Sequence, residues 1–153
     1  MQLSLHSEYA LRVLLYVATQ PKRLCSTREI SDAYGISKHH LVRVVQTLNQ
    51  HGYLEVVPGR GGGISLAKEP DRIRLGDVVR DSEVNLRLAE CFDRHSNRCV
   101  LTPVCSLKPV LNEALNAFLS ALNRHTLADL LANGALRRMA AKFSNIAVSN
   151  IAV

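Results

Sequence analysis

The chain has 153 residues, 47% of them apolar and 5% aromatic, with no tryptophan. That is enough for one domain with a real core of Leu, Val, Ile and Ala. Nineteen basic against 13 acidic residues give a net charge of +6 and a pI near 9.5, which favours an anionic partner, nucleic acid first.

The positive excess is uneven. Residues 1–68 carry net +4 and residues 69–90 net −2, so the N-terminal part is the expected anion-facing surface. The opening MQLSLHSEYA lacks a basic start followed by an apolar core, and the apolar run 13–18 is too short to span a bilayer. A cytoplasmic location is expected. There thiols stay reduced, and clustered cysteines serve metal or redox chemistry more often than structural disulfides.

Residues 7–20, SEYALRVLLYVATQ, place Ala10, Val13, Leu14 and Val17 on one stripe, widened by Leu11, Leu15 and Ala18. The spacing predicts a buried-face helix capped by Ser4 or Ser7. Glu8 falls in its first turn, where a carboxylate suits the helix dipole.

A turn over 21–24 leads to Ser26 or Thr27, either of which can open a helix with Glu29 near the capping-box position. Gly35 follows, and Ser37 caps a second helix ending at Gly52. Two short helices around a glycine turn are the helix-turn-helix pattern. In the second, Leu41, Val44, Val45 and Leu48 point inward. His39, Arg43, Gln46 and Gln50 lie opposite, with His40 and Thr47 at the flanks. Ser26, Thr27 and Arg28 at the first helix and Ser37, Lys38, His39, His40 and Arg43 at the second are the expected DNA contacts, with Arg43 suited to guanine or phosphate.

The β-prone run 53–57, the glycine-rich 58–63 and the run 64–66 predict a hairpin, hence a wing, with Arg60 at its tip placed for a minor groove or phosphates. The glycines match neither a G-x-G-x-x-G turn nor a G-K-[ST] loop. Residues 73–80 read as a short helix or turn.

Residues 91–105 hold Cys91, Cys99 and Cys105, separated by seven and five residues, in a segment poor in apolar periodicity. An irregular loop is expected. Three thiolates can hold zinc, hold an iron–sulfur cluster or act in redox chemistry. Structural zinc prefers tighter spacings, whereas a cluster spreads its irons over several corners. Three cysteines leave one iron needing another ligand, for which His95, Asp93 and the distant Glu8 are candidates. Cys25 reads as a small buried residue. No nucleophile and general base lie together near the loop, so an enzyme is not expected.

From Ser106 the periodicity returns. Leu107, Leu111, Ala114, Phe118 and Ala121 form a heptad-like seam with Leu115 and Leu122 as a second edge, which predicts a dimerisation helix. Either Thr102 caps it and Pro109 kinks it, or Ser106 caps it and Pro109 sits in the tolerant first turn. Thr126 caps a further short helix with Asp129 as its capping-box partner. ALRRMAAKF is a possible last helix, and the final ten residues repeat SNIAV twice.

Together SEYALRVLLYVA, GISKHHLVRVVQTLNQHGY, PGRGGGISLAK, LGDVVR and the cysteine loop ahead of HTLADLL resemble the iron–sulfur winged-helix transcriptional regulators of the IscR/NsrR type. The resemblance spans about residues 1–135. Within that family it is closest to the nitric-oxide-sensing repressors, through CVLTPVCSLKPVL and the run into NAFLSALNRHTLADLL.

The resemblance implies a homodimeric repressor of a palindromic double-stranded DNA operator, with a cluster on Cys91, Cys99 and Cys105, usually [4Fe-4S]. The fourth ligand would be a carboxylate at the start of the first helix, supplied by the partner subunit. Glu8 occupies that place here, where Asp is common in the family. The alternative is a cluster-supply or redox regulator with a [2Fe-2S] cluster, whose arrangement uses a His soon after the third cysteine. Here Ser106, Leu107 and Lys108 follow Cys105, with no His before His125.

The expected architecture is mainly helical with a small β-hairpin. It comprises a winged helix-turn-helix domain (1–80), a cysteine loop binding a cluster (81–105), a dimerisation helix with a short following helix (106–135), and a C-terminal helix or tail (136–153).

Overall fold

The computed structural model describes residues 2–136. The expected tail over 136–153, with its repeated SNIAV, lies outside them apart from Leu136. Six helices and one hairpin follow in order: α1 (Leu5–Ala18), α2 (Thr27–Tyr34), α3 (Lys38–Gln50), β1 (Leu54–Val57), β2 (Gly63–Leu66), α4 (Leu75–Ser82), α5 (Leu107–Asn123) and α6 (Leu127–Leu131).

Local chemistry sets the helix ends. The Ser4 hydroxyl accepts from Ser7 N–H and Ser26 from Glu29 N–H, which settles both capping alternatives. Ser37 caps α3 by accepting from His40 N–H. Gly35 ends α2 at φ 65°, a left-handed conformation in which a side chain is strained, so the helix-turn-helix bend depends on it. Thr126 and Asp129 form the predicted capping box on α6.

The core lies between α1, α2, α3 and the hairpin. Ala10, Val13 and Leu14 of α1 meet Ile30, Leu41, Val44 and Leu48, all at most 1% exposed. The hairpin is antiparallel, pairing Leu54 with Leu66 and Val57 with Gly63. It has an unpredicted third member. Cys25 N–H donates to Ile64 O (2.8 Å) and Ile64 N–H to Cys25 O (2.7 Å), so the turn before α2 adds a bridge to the wing. At the base of the wing the Tyr53 hydroxyl donates to Asp81 Oδ2 (2.6 Å), while the Lys68 ammonium sits 4.8 Å from the Tyr53 ring centre. Burial and the Asp81 hydrogen bond push the Tyr53 phenol up.

α5 is the helix expected from Ser106 onwards. Its single buried residue is Leu119, which belongs to neither predicted edge. Leu107 and Val110 remain 59% and 58% exposed. The spacing of the apolar residues was legible, but the face used is chosen by α4. There Gly76 lets α5 approach so closely that an added Cβ would stand 2.5 Å from Leu119 O and from Asn123 Oδ1. Asn123 seals the contact, accepting from Asp77 N–H (2.9 Å) and donating to Asp77 Oδ1 (3.0 Å). Pro109 lies in the first turn of α5 after Ser106, whose side chain makes no capping bond.

Gly76→Ala should therefore part α4 from α5 and cost about 1–3 kcal/mol. Urea denaturation read by circular dichroism checks it. An unchanged midpoint would mean that the helices separate without cost.

Candidate nucleic-acid interface and cysteine loop

The outward side of α3 is built as its sequence dictates. With Leu41, Val44, Val45 and Leu48 buried, Lys38, His39, Val42, Arg43, Gln46 and Gln50 are left exposed. The flank towards α1 is occupied. His6 Nε2 and Thr47 Oγ1 are hydrogen-bonded at 3.1 Å, and the Tyr9 and His40 rings are 6.2 Å apart. His40 is thus exposed but turned towards α1, while His39 and Arg43 face outward.

The other flank borders a groove of about 450 Å³ between α3, the wing and the start of α2. Ser26, Thr27, Val42, Gln46, Asn49, Val56, Val57 and Gly59 line it. The structure thereby brings the α2 start, the α3 face and the base of the wing tip around one concavity. Arg28, Lys38 and Arg60 are exposed.

Residues 83–106 contain only two single turns of 3-10 helix, Glu90–Phe92 and Thr102–Val104. The segment is held by side-chain hydrogen bonds. Asp93 accepts from Ser96 Oγ (2.7 Å), His95 N–H (3.0 Å) and Arg87 (2.6 Å). These donors, Ser96 first, hold its carboxyl below the usual range. Asn97 accepts from Cys99 N–H (3.1 Å) and donates to Thr102 Oγ1 (2.9 Å).

Cys91 is buried, Cys99 and Cys105 are half-buried, and all are free thiols. Among the described residues no three His, Cys, Asp or Glu side chains gather into a metal-holding group. The donor chemistry fits an iron–sulfur cluster: three soft ligands lie on a loop whose fastenings are hydrogen bonds instead of core packing. Glu8 is half-exposed in the first turn of α1 and paired with Arg12 one turn on. Asp93 is engaged by the loop, and His95 is exposed.

The residues that sequence reasoning missed are those joining this loop to the DNA-facing helices. At the end of α4, the buried Ser82 Oγ is hydrogen-bonded to Ser7 Oγ (2.9 Å) of α1. The next residue, Glu83, accepts from Ser4 N–H (2.8 Å), the cap of α1. Ser7 and Ser82 are 0% and 4% exposed. No local pattern marks them, because the partners are 75 residues apart.

Cys25, expected to be buried, is fully so, and burial pushes its thiol up to about 12 from an ordinary 9.0. At pH 8 its thiolate fraction is then on the order of one in ten thousand. Iodoacetamide should label Cys99 and Cys105 of the metal-free chain while Cys25 reacts only after unfolding, as read by peptide mass spectrometry. Because the folded-state pKa is raised, the stabilisation that Cys25 contributes is full below pH 9 and is lost as pH rises towards 12.

A capped helix-turn-helix followed by a wing, with a basic outward helix face, defines a winged-helix DNA-binding regulator. Residues 3–133 match the Rrf2 family, described as iron-dependent transcriptional regulators, and the chain belongs to that family. It is 51% identical over 139 residues to the HTH-type transcriptional regulator NsrR of Geobacillus kaustophilus (strain HTA426), covering 90% of this chain and 95% of that protein. With NsrR of Bacillus subtilis (strain 168) the identity is 47% over 134 residues, covering 87% and 92%.

Among solved structures, the IscR of T. potens superposes with a TM-score of 0.69 at 25% identity, covering 88% of this chain and 90% of that one. CymR, the global cysteine regulator of B. subtilis, gives 0.68 at 25% identity, covering 86% and 97%. The chain is a transcriptional regulator and not an enzyme. No helix among the described residues is long and apolar enough to cross a membrane.

Proposed function

We propose that the protein is a nitric-oxide-responsive repressor that binds a palindromic operator as a homodimer. The observation that carries this reading is the mechanical path from the cysteine loop to α3. The loop begins at Glu83, which holds the α1 cap, and Ser82 locks α4 to the same turn. α1 in turn touches α3 through His6 with Thr47 and Tyr9 with His40. A strain applied at the loop therefore reaches the helix that would enter the major groove within two contacts.

Cys91, Cys99 and Cys105 are the residues that would hold an iron–sulfur cluster, [4Fe-4S] in this reading, with Glu8 of the partner subunit as fourth ligand. When bound, the cluster supplies irons that nitric oxide attacks. The chain's own part is conformational. Glu8 would leave Arg12 to reach the partner's loop, so its ligation state decides whether the first turn of α1 is held by its own subunit alone or by both. Lys38, His39 and Arg43 would face base edges, Arg60 the minor groove, and Ser26, Thr27 and Arg28 the phosphates. The exposed Leu107 and Val110 of α5 provide apolar surface for the second copy.

Anaerobically purified protein should show a visible absorption that nitric oxide bleaches in step with loss of binding to a duplex selected from a random pool. Colourless protein that keeps the duplex, indifferent to nitric oxide, would overturn the reading. Iron and sulfide counts separate it from a [2Fe-2S] cluster-supply regulator. In Ser82→Ala the cluster absorption should persist, stability should fall by about 1 kcal/mol, and the loss of affinity caused by nitric oxide should shrink. The coupling at stake is about 1–3 kcal/mol. An undiminished response in this variant would refute the path through α4 and α1. Arg60→Ala should lower the magnitude of the salt slope of binding by about one.

A further inference from the structure

We infer that Val42 reads a thymine C5-methyl and, with Gln46 one turn further on, biases each half-site towards A·T pairs on the wing side of α3. This rests on the placement of α3 in the major groove proposed above. Val42 is 40% exposed among Lys38, His39, Arg43 and Gln46, which are all polar. A single apolar residue on a surface is ordinary, but this one is not isolated. It borders the 450 Å³ groove together with Val45, Val56 and Val57, and the last two are 40% and 42% exposed.

An apolar wall on the basic face does nothing for phosphates. The one apolar group on base edges in the major groove is the thymine methyl. Valine suits it, since a β-branched side chain in a helix is confined to one main rotamer and loses little freedom on contact. Gln46 offers the donor and acceptor pair that matches adenine N6 and N7. Four residues advance about 6 Å along the helix, close to two steps of about 3.4 Å between base pairs. The two side chains therefore address base pairs two steps apart.

The test uses the anaerobic full-length protein and a duplex selected by it from a random pool. Each dT of the half-site is replaced in turn by dU, which deletes only the C5-methyl. At one position per half-site wild type should lose about threefold to fivefold in affinity, the worth of one buried methyl. Val42→Ala should lose as much on the unmodified duplex and no more on the dU duplex, and Val42→Ile should restore the sensitivity. Because Val42 is exposed, the variants should melt as wild type does.

If every dU position affects wild type and Val42→Ala alike, the inference is wrong. Arg43→Ala tells which premise failed. If it weakens binding while the dU effects stay equal, only the role of Val42 falls. If it leaves affinity and sequence preference unchanged, the placement of α3 falls with it.

Discussion

The structure turns on one buried contact, the Ser82 hydroxyl on the Ser7 hydroxyl, reinforced one residue later by Glu83 on the Ser4 N–H. It fixes the end of α4 to the first turn of α1. α1 is the central helix, packed on α3 and on β2, on α4 and on α6. A polar contact suits this place. Two buried hydroxyls have a narrow set of geometries in which they satisfy each other, so the register between the helices is specified more sharply than by sliding apolar surfaces. The one Ser82 hydroxyl proton goes to Val78 O at 2.7 Å, a carbonyl that can only accept, so Ser7 Oγ–H is the donor in the contact with Ser82.

That joint divides the molecule into two kinds of surface. On one side stand the helix-turn-helix and the wing, the bend set by Gly35 and the wing stitched to the chain before α2 by Cys25 and Ile64. On the other side the cysteine loop is held by short polar links through Asp93 and Asn97. Segments held in that way open at lower cost than packed helices. The two parts meet at Glu83, which accepts from the Ser4 N–H.

α5 shows how one helix can serve two masters. Leu119 and Asn123 dock it on Gly76 and Asp77 of α4, while Leu107 and Val110 face outward near Cys105. The helix begins just after the third cysteine and ends against the start of α4, where Leu75 N–H donates to His125 O. It is therefore both the exit of the loop and a brace on the joint.

Much was legible from the chain alone. Helix starts at Ser4, Ser26, Ser37 and Thr126, the glycine bend, the hairpin and the inward stripe of α3 are local, because a cap bonds two or three residues on and a helical stripe repeats within one turn. The class of DNA reader followed from such local patterns. The tertiary structure decided what involves distant partners: Ser7 with Ser82, Ser4 with Glu83, Cys25 with Ile64, Gly76 against Leu119. A serine in a first turn or a glycine in a short helix carries no mark of the residue it will meet 40 or 75 positions away. Its partner is selected by packing, and packing exists only once the chain has closed on itself.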